Sequence, residues 1–202
     1  MFLLKNGNHK LSTDIAIWNL PRTSCIGKGE CYKFCYAKKF EHMTQVEHYR
    51  DFRSELAREP LFDKLISLEI KYKGYKYVRI HECGDFFNQT YLNKWKSIAN
   101  SHPKTTFMAY TKSMKLNFND LPKNLIIIQS YGGKWDSLID ETKNTARVIL
   151  HKEDVKDNEY LCPYGQSNFT KCFECCKYCW TKKGVKHVAF IMHNQGRRII
   201  KR

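Results

Sequence analysis

Six short segments rich in branched and aromatic residues recur along the chain, separated by polar or helix-forming sequence. We predict a strand in each, over residues 14–20, 75–81, 105–111, 124–130, 146–151 and 187–193. The stretches between them predict helices over residues 38–59, 60–72, 89–101, 112–119 and 135–144. Strands that alternate with helices indicate parallel βα units. The pattern therefore predicts an α/β fold, a partial (β/α)6 TIM-like barrel, with a doubly wound open sheet as the rival.

The six units account for the whole chain of 202 residues. We therefore expect one domain over 1–202, with a cysteine-rich segment, 160–182, inserted before the last strand. The N-terminal sequence MFLLKNGNHK has too short an apolar run for the core of a signal peptide. No stretch approaches the roughly 20 apolar residues of a membrane span. These features predict a cytoplasmic protein without a membrane partner.

Polar side chains follow the predicted strands one after another. The sequences at the strand ends are the first cysteine loop, HECGD, TKS, QSYGG, His151 and His193. In βα folds the carboxyl ends of the strands gather ligands and catalytic groups. The recurrence predicts a ligand site at this end of the sheet. Its candidate side chains after the cysteine loop are Glu82, Asp85, Ser113, Ser130, His151 and His193.

Alternation within the second predicted strand separates its side chains into two sets. Val78 and Ile80 share one face, and Tyr77, Arg79 and His81 share the other. We predict that the apolar pair faces the helices and that the polar set faces the interior of the barrel.

Eight of the nine cysteines lie in two neighbourhoods. Without an export signal, clustered thiols indicate metal sites more than disulfides. The first neighbourhood has Cys25, Cys31 and Cys35, with five and then three intervening residues, in a loop with two glycines. Three thiolates suit an iron–sulfur cluster with one iron open to another ligand. A zinc site would need a fourth ligand, such as Cys83 or a histidine.

Two aromatic residues flank the third cysteine of this loop. Phe34 precedes it and Tyr36 follows it. Their rings would shield a cluster, stack on a nucleoside or pack in the core, and the sequence leaves these alternatives open. Cys83 stands apart from both neighbourhoods, and we expect it to be a buried free thiol rather than a metal ligand.

The second neighbourhood has five cysteines: Cys162, Cys172, Cys175, Cys176 and Cys179. Its two C-x₂-C units, CFEC and CKYC, have the spacing of a metal site. The sequence leaves three alternatives: a structural zinc site, a second [4Fe–4S] cluster, and one centre shared with the first neighbourhood. An iron–sulfur centre nearby favours the cluster over zinc.

The formal net charge is +15, from 35 Lys and Arg residues against 20 Asp and Glu residues. Such an excess favours a polyanionic partner, above all nucleic acid. A solvated basic surface explains the same excess equally well.

Several motifs together resemble the radical S-adenosylmethionine (radical SAM) superfamily and, more closely, a phage-borne family known as gene product eighty-eight. They are CIGKGECYKFCYAKK, RIHECGDFFNQTYLNKWKSIA, FMAYTKS and the late cysteines with VAFIMH. The resemblance implies a [4Fe–4S] cluster on Cys25, Cys31 and Cys35. The fourth iron would bind S-adenosylmethionine and cleave it reductively to a 5′-deoxyadenosyl radical. For the second site, the ligands implied are Cys162, Cys172, Cys175 and Cys179.

This sequence departs from the superfamily at two points. The superfamily commonly spaces its three cysteines more closely. Its glycine-rich acidic motif, which holds the amino group of the cofactor, is replaced by HECGD, where Glu82 or Asp85 would supply the carboxylate.

The leading hypothesis is an iron–sulfur protein with a radical-SAM-like barrel. The sequence leaves open whether it is an enzyme, whose substrate would be a nucleic acid or a nucleotide. The alternatives are a non-catalytic metal-stabilised module that binds nucleic acid or a host protein, and a thiol redox sensor. If a phage encodes the chain, we expect it in the cytoplasm of the host cell.

Overall fold

The computed structural model describes residues 2–8, 10–164, 171–181 and 183–192, without the side chains of residues 174 and 175. The strands in these ranges are β1 (Lys5–Asn6), β2 (Ile15–Trp18), β3 (Tyr77–Ile80), β4 (Thr106–Thr111), β5 (Leu125–Ser130), β6 (Thr145–Ile149), β7 (Tyr160–Leu161) and β8 (His187–Ile191). The α-helices are α1 (Thr44–Leu56), α2 (Phe62–Lys73), α3 (Gln89–Ser101) and α4 (Cys172–Cys175).

All eight strands form one sheet in the order β1-β2-β3-β4-β5-β6-β8-β7. Only β1 pairs antiparallel with its neighbour, and the other pairs are parallel. The six predicted strands are confirmed as β2 to β6 and β8, whereas β1 and β7, of two residues each, were not predicted. A doubly wound sheet reverses its strand order at a switch point, and these six strands follow chain order without a reversal. The partial barrel stays a prediction, because strand order does not measure closure.

The α-helices before β4 correspond to predicted segments with some changes of bounds, whereas the two segments predicted after β4 contain no α-helix. α3 has the predicted bounds, and the side chain of Asn88 caps it by accepting a hydrogen bond from the Tyr91 backbone N–H at 2.8 Å. The predicted helix 38–59 is instead a 3₁₀ turn, Tyr36–Phe40, followed by α1. The predicted helix 60–72 is α2, which ends at Gly74 with a φ of 65°.

The predicted helices 112–119 and 135–144 are wrong. Residues 112–119 have no α-helix, and residues 135–144 have only a 3₁₀ turn, Asp136–Leu138. The reason is local hydrogen bonding that competes with helix formation. Asn117 bonds the Asn119 backbone N–H, and Asp140 bonds the backbone and hydroxyl of Thr142.

Alternating strand residues pack on the two faces of the sheet. On one face, Trp18, Val78, Ile80 and Phe107 pack against residues of α2 and α3. On the opposite face, the strand residues that pack together are Ile15, Ile17, Met108, Ile126, Ile128, Ala146 and Val188. Cys179 and Trp180 of the late cysteine segment belong to this second cluster. The parallel strands are therefore covered on both faces, as their unbroken apolar runs indicate.

No α-helix within the described ranges is long and apolar enough to cross a membrane.

Candidate metal centres

The first cysteine loop lies across the carboxyl ends of the central strands. Its Gly27 carbonyl accepts a hydrogen bond from the Lys134 backbone N–H at 3.1 Å, and the Cys31 N–H donates to the Gly132 carbonyl at 3.0 Å. A side chain on Gly27 would clash with the Lys112 carbonyl, and one on Gly29 would come within 2.6 Å of the Gly133 backbone. The two glycines thus let the loop contact the segments that follow β4 and β5.

Four thiols meet in this region, where the sequence predicts three. The structure places Cys83 near the loop, because the Tyr36 hydroxyl donates to the carbonyl of the adjacent Glu82. The Cys83 N–H donates to Asn19 Oδ1 at 2.9 Å, a few residues before the loop. Burial raises the pKa of the Cys25 thiol, and the nearby Asp85, Cys83, Cys35 and Cys31 raise it further. The prediction that Cys83 is buried is confirmed, since it is 5% exposed.

Cys83, which the sequence analysis set apart as a free thiol, is a further candidate ligand. It is far from the other cysteines in sequence, and only the pairing of β2 with β3 brings its turn beside Asn19 and Leu20. Its position directly after a predicted strand was the one available signal.

Three cations, Arg50, Arg22 and Lys112, interact electrostatically with thiols of the first cysteine group. Burial raises the pKa of the Cys83 thiol to about 11, and the Arg50 guanidinium opposes that shift. Burial also raises the pKa of the Cys35 thiol, and Arg22 and Lys112 are among the groups that oppose it. Arg50 is 7% exposed, and its Nη1 has no hydrogen-bond partner within the described ranges. A buried guanidinium with a free donor fits a negatively charged group bound between the thiols.

The donor chemistry of the four thiols suits an iron–sulfur cluster. Among the described residues, no three His, Cys, Asp or Glu side chains are placed to bind one metal ion together. Iron–sulfur clusters are held by cysteine thiolates. Each thiolate binds a different iron, so the sulfurs lie farther apart than around one zinc ion. The donor set of four thiols and the buried cation therefore fit a [4Fe–4S] cluster.

Asp85 and Ser113, two of the predicted cofactor-binding residues, join strand ends to each other. The buried Asp85 carboxylate accepts hydrogen bonds from the Thr111 hydroxyl at 2.7 Å and from the Lys112 and Phe86 backbone N–H groups at 2.8 and 2.7 Å. The Ser113 hydroxyl, fully buried, donates to the Phe86 carbonyl at 2.7 Å. A cofactor would have to displace these bonds to reach either side chain.

Glu82 is half-buried and lies beside the cysteine loop. Its carboxylate accepts hydrogen bonds from the Asn8 side-chain amide at 2.5 Å and from the Asn19 side-chain amide at 3.3 Å. The Tyr36 hydroxyl donates to the Glu82 carbonyl, which ties the cysteine loop to the turn after β3. Phe34 is half-buried next to Cys35.

Of the remaining predicted residues that the structure describes, Ser130 lies near this site and His151 does not. The Ser130 hydroxyl accepts a hydrogen bond from Lys112 Nζ at 2.6 Å, so Ser130 borders the first cysteine group. His151 is exposed, and its backbone N–H donates to Asp154 at the start of a 3₁₀ turn. His193 lies outside the described residues.

His81 does not face the interior with Tyr77 and Arg79, contrary to the prediction. Its backbone has a φ of 61°, which turns the side chain out of the strand alternation. Nε2 of His81 is 2.8 Å from the Tyr91 hydroxyl of α3, and the ring packs against Phe86. His81 is therefore part of the packing between the sheet and α3.

The second cysteine group lies on the sheet face opposite the helices. Cys162 follows β7, and its N–H donates to the Ala189 carbonyl at 2.9 Å. Burial raises the pKa of the Cys172 thiol to about 12, with Cys179, Cys176 and Cys162 as further causes. These four thiols are therefore neighbours. The side chain of Cys175, a predicted ligand, lies outside the described residues. Cys176, which was not chosen as a ligand, lies near the other three predicted ligands.

Tyr110, which the sequence analysis did not select, contacts this second group. The Tyr110 hydroxyl, on β4, donates a hydrogen bond to Cys179 Sγ at 3.0 Å. The Arg79 guanidinium of β3 lies over the Tyr110 ring, 4.3 Å from its centroid. The second group is therefore built against the central strands as well as on its own loop.

Comparisons with known proteins identify a family. A family model described as Gene product 88 matches residues 2–189 of the chain. The Gene 88 protein of Mycobacterium phage L5 is 32% identical over 94 residues, which cover 41% of this chain and 39% of that relative. No solved structure matches the chain. These matches support a bacteriophage origin, and none of them supports the resemblance to the radical SAM superfamily.

Proposed function

The chain belongs to the Gene product 88 family, and within that family we propose that it is an iron–sulfur protein. Cys25, Cys31, Cys35 and Cys83 would hold one [4Fe–4S] cluster at the carboxyl ends of the strands. A bound cluster supplies one-electron redox chemistry and fixes the loops that hold it. The observation that carries the proposal is the gathering of four thiols near a buried Arg50 whose Nη1 lacks a hydrogen-bond partner within the described part of the chain.

The second cysteine group would hold a second centre. Cys162, Cys172, Cys176 and Cys179 supply four thiols, and Cys175 stays a candidate from the sequence. We propose a second [4Fe–4S] cluster here, with zinc as the alternative, because thiolates suit both. Two separate groups of four thiols favour two centres over one that is shared.

The experiment is metal and sulfide analysis of protein purified and reconstituted without oxygen. Two clusters predict a brown protein with iron and sulfide in equal amounts, about four of each per cluster. Cys31→Ala and Cys172→Ala should each remove about half of the iron and sulfide. A colourless protein that carries zinc alone would overturn the proposal. Iron lost from Cys31→Ala alone, with zinc retained, would assign zinc to the second group.

A radical enzyme is the second candidate function. The position of the cysteine loop after β2, in a sheet whose parallel strands follow chain order, favours it. It requires an iron that is open to S-adenosylmethionine, and a fourth thiolate from Cys83 would occupy that position. We therefore expect the loaded and chemically reduced protein to form no 5′-deoxyadenosine from S-adenosylmethionine. Turnover that disappears in Cys31→Ala would instead establish the radical enzyme.

Nucleic acid is the partner that we propose for this end of the molecule, with a host protein as the alternative. The cysteine loop carries the exposed Lys28, Lys38 and Lys39. Its two carboxylates are paired, Glu30 with Lys33 at 2.9 Å and Glu41 with Arg22 at 2.5 Å. The loop therefore presents positive charge beside the first cysteine group, which suits a phosphate backbone.

A further inference from the structure

An apolar stripe runs along the outer face of α2. The inner face of this helix buries Phe62, Ile66, Glu69 and Ile70. The adjoining face exposes Leu65, Leu68 and Tyr72, and Leu61 extends the line by one turn before the helix begins. The exposed fractions are 55% for Leu61, 39% for Leu65, 65% for Leu68 and 77% for Tyr72. We call Leu61, Leu65, Leu68 and Tyr72 the α2 stripe.

The spacing of the α2 stripe is that of a helix–helix seam. Its members are four, three and four residues apart, which is the alternation of d and a positions in a heptad repeat. A line restricted to these positions is the narrow seam of a coiled coil, whereas a helix that packs on a core has a broader apolar face. Helices that lie in a membrane surface also have a broad apolar face. The stripe therefore fits one partner helix rather than a lipid surface.

The charges beside the α2 stripe are all positive. Lys64 and Lys71 are exposed at the two positions that flank the seam on one side. The two carboxylates of the helix are engaged elsewhere, since Glu69 is buried and accepts the Leu3 and Leu4 backbone N–H groups. Asp63 is half-buried and accepts the backbone N–H of Lys64 at 3.0 Å. A partner seam with acidic flanks would complement this face.

We propose that the α2 stripe is a docking surface for an amphipathic helix of another protein, whose apolar seam is flanked by Glu or Asp. A second copy of the chain fits less well. Two α2 stripes packed antiparallel about a twofold axis would bring Lys64 of each copy towards Lys71 of the other, and like charges at flanking positions oppose pairing. The proposal is independent of the metal centres, because α2 packs on the opposite face of the sheet from the second cysteine group.

The test is a binding titration of the full-length, metal-loaded protein with two synthetic peptides. Both have four heptads with Leu at a and d; one has Glu at e and g, and the other has Lys there. We expect the Glu peptide to bind at least about tenfold more tightly than the Lys peptide. Leu65→Ser with Leu68→Ser should weaken the Glu peptide by about tenfold or more. Leu138→Ser, at another leucine that is 52% exposed, is the matched control and should bind like wild type.

A charge reversal keeps the proposal testable if the serine variant is perturbed. Lys64→Glu with Lys71→Glu should exchange the preference, so that the Lys peptide binds better than the Glu peptide. Equal binding of both peptides by the wild type, or unchanged binding by the serine variant, would overturn the proposal.

Two further outcomes would assign another occupant and so overturn the proposal as well. Sedimentation that shows a dimer of the wild type and a monomer of the serine variant would identify a second copy. Flotation with vesicles of phosphatidylcholine and phosphatidylserine, lost in the serine variant, would identify a membrane surface.

Discussion

Whether Cys83 binds iron decides whether the proposed first cluster has an iron that is open to a substrate or cofactor. If it is the fourth ligand, every iron of the first cluster has a protein thiolate, and the cluster serves structure or electron transfer. If it is a free thiol, one iron stays open. The contact of its turn with Asn19 and Leu20, and the nearby Arg50, favour the first alternative.

Cys83→Ala should convert a stable cluster into one with a labile iron. Without the fourth thiolate, brief oxidation in air should release one iron and leave a [3Fe–4S] cluster, which electron paramagnetic resonance detects. The wild type under the same exposure should keep its iron. Ser24→Ala is the matched control, because Ser24 is buried just before Cys25 and its hydroxyl accepts the backbone N–H of Asp85, in the turn that contains Cys83, at 3.3 Å. Equal iron loss from Cys83→Ala and the wild type would show that Cys83 is not a ligand.

Single residues were the least predictable part of this molecule. Cys25, Cys31 and Cys35 stand out in the sequence because they are close together, whereas Cys83 and Arg50 reach them only through tertiary contacts. The polar strand-end residues are recognisable as a class. Their individual roles are not recognisable from the sequence, because burial decides whether a carboxylate such as Asp85 binds a ligand or hydrogen-bonds to a neighbouring strand.

At the scale of elements, the strands were predictable and the later connections were not. The parallel strands are short, uninterrupted apolar runs rich in β-branched residues. Such a run favours a buried parallel strand. Residues 112–119 and 135–144 contain helix formers, yet side chains of Asn117 and Asp140 bond nearby backbone groups and hold the chain in turns. The hydrophobic periodicity of the sequence does not reveal these short-range hydrogen bonds.

The cysteine loop is an element defined by its close contacts, and Gly27→Ala should detach it. The added methyl group would clash with the Lys112 carbonyl, so the hydrogen bonds of the loop to Gly132 and Lys134 would break. We expect the iron bound by the first group to fall several-fold after anaerobic reconstitution, with the second group unaffected.

Gly74→Ala is the matched control for that variant. Gly74 has a φ of 65° and no atom near the position of an added methyl group. Alanine there should lower the free energy of unfolding by about 1 kcal/mol through backbone strain alone, with full iron loading. If Gly27→Ala also loads fully, the loop does not need its contact with Lys112.

At the scale of the whole molecule, the architecture places the candidate site at one end of the sheet, whereas the exposed lysines lie at both ends. The cysteine loop and the turns after β3, β4 and β5 meet at the carboxyl ends of the strands, as the sequence of strand-end residues predicts. The net charge of +15 is a property of the whole chain, and its distribution between the two ends of the sheet was not readable from composition. Three exposed lysines, Lys28, Lys38 and Lys39, lie on the cysteine loop at the carboxyl ends of the strands. Another three, Lys76, Lys104 and Lys123, lie one or two residues before the first residues of β3, β4 and β5, at the opposite end.

These two sets of lysines allow a test of nucleic-acid binding that holds net charge constant. Replacing either set by glutamate lowers the formal charge of the chain equally. If a phosphate backbone lies across the cysteine loop, the variant of Lys28, Lys38 and Lys39 should bind DNA and RNA more weakly. Its slope of log affinity against log salt concentration should be smaller in magnitude by about three, because about one counterion is released for each lysine–phosphate contact. The variant of Lys76, Lys104 and Lys123 should keep the wild-type slope.

Equal losses in both variants would assign binding to net charge alone, and no binding by the wild type would make the basic residues a solvated surface.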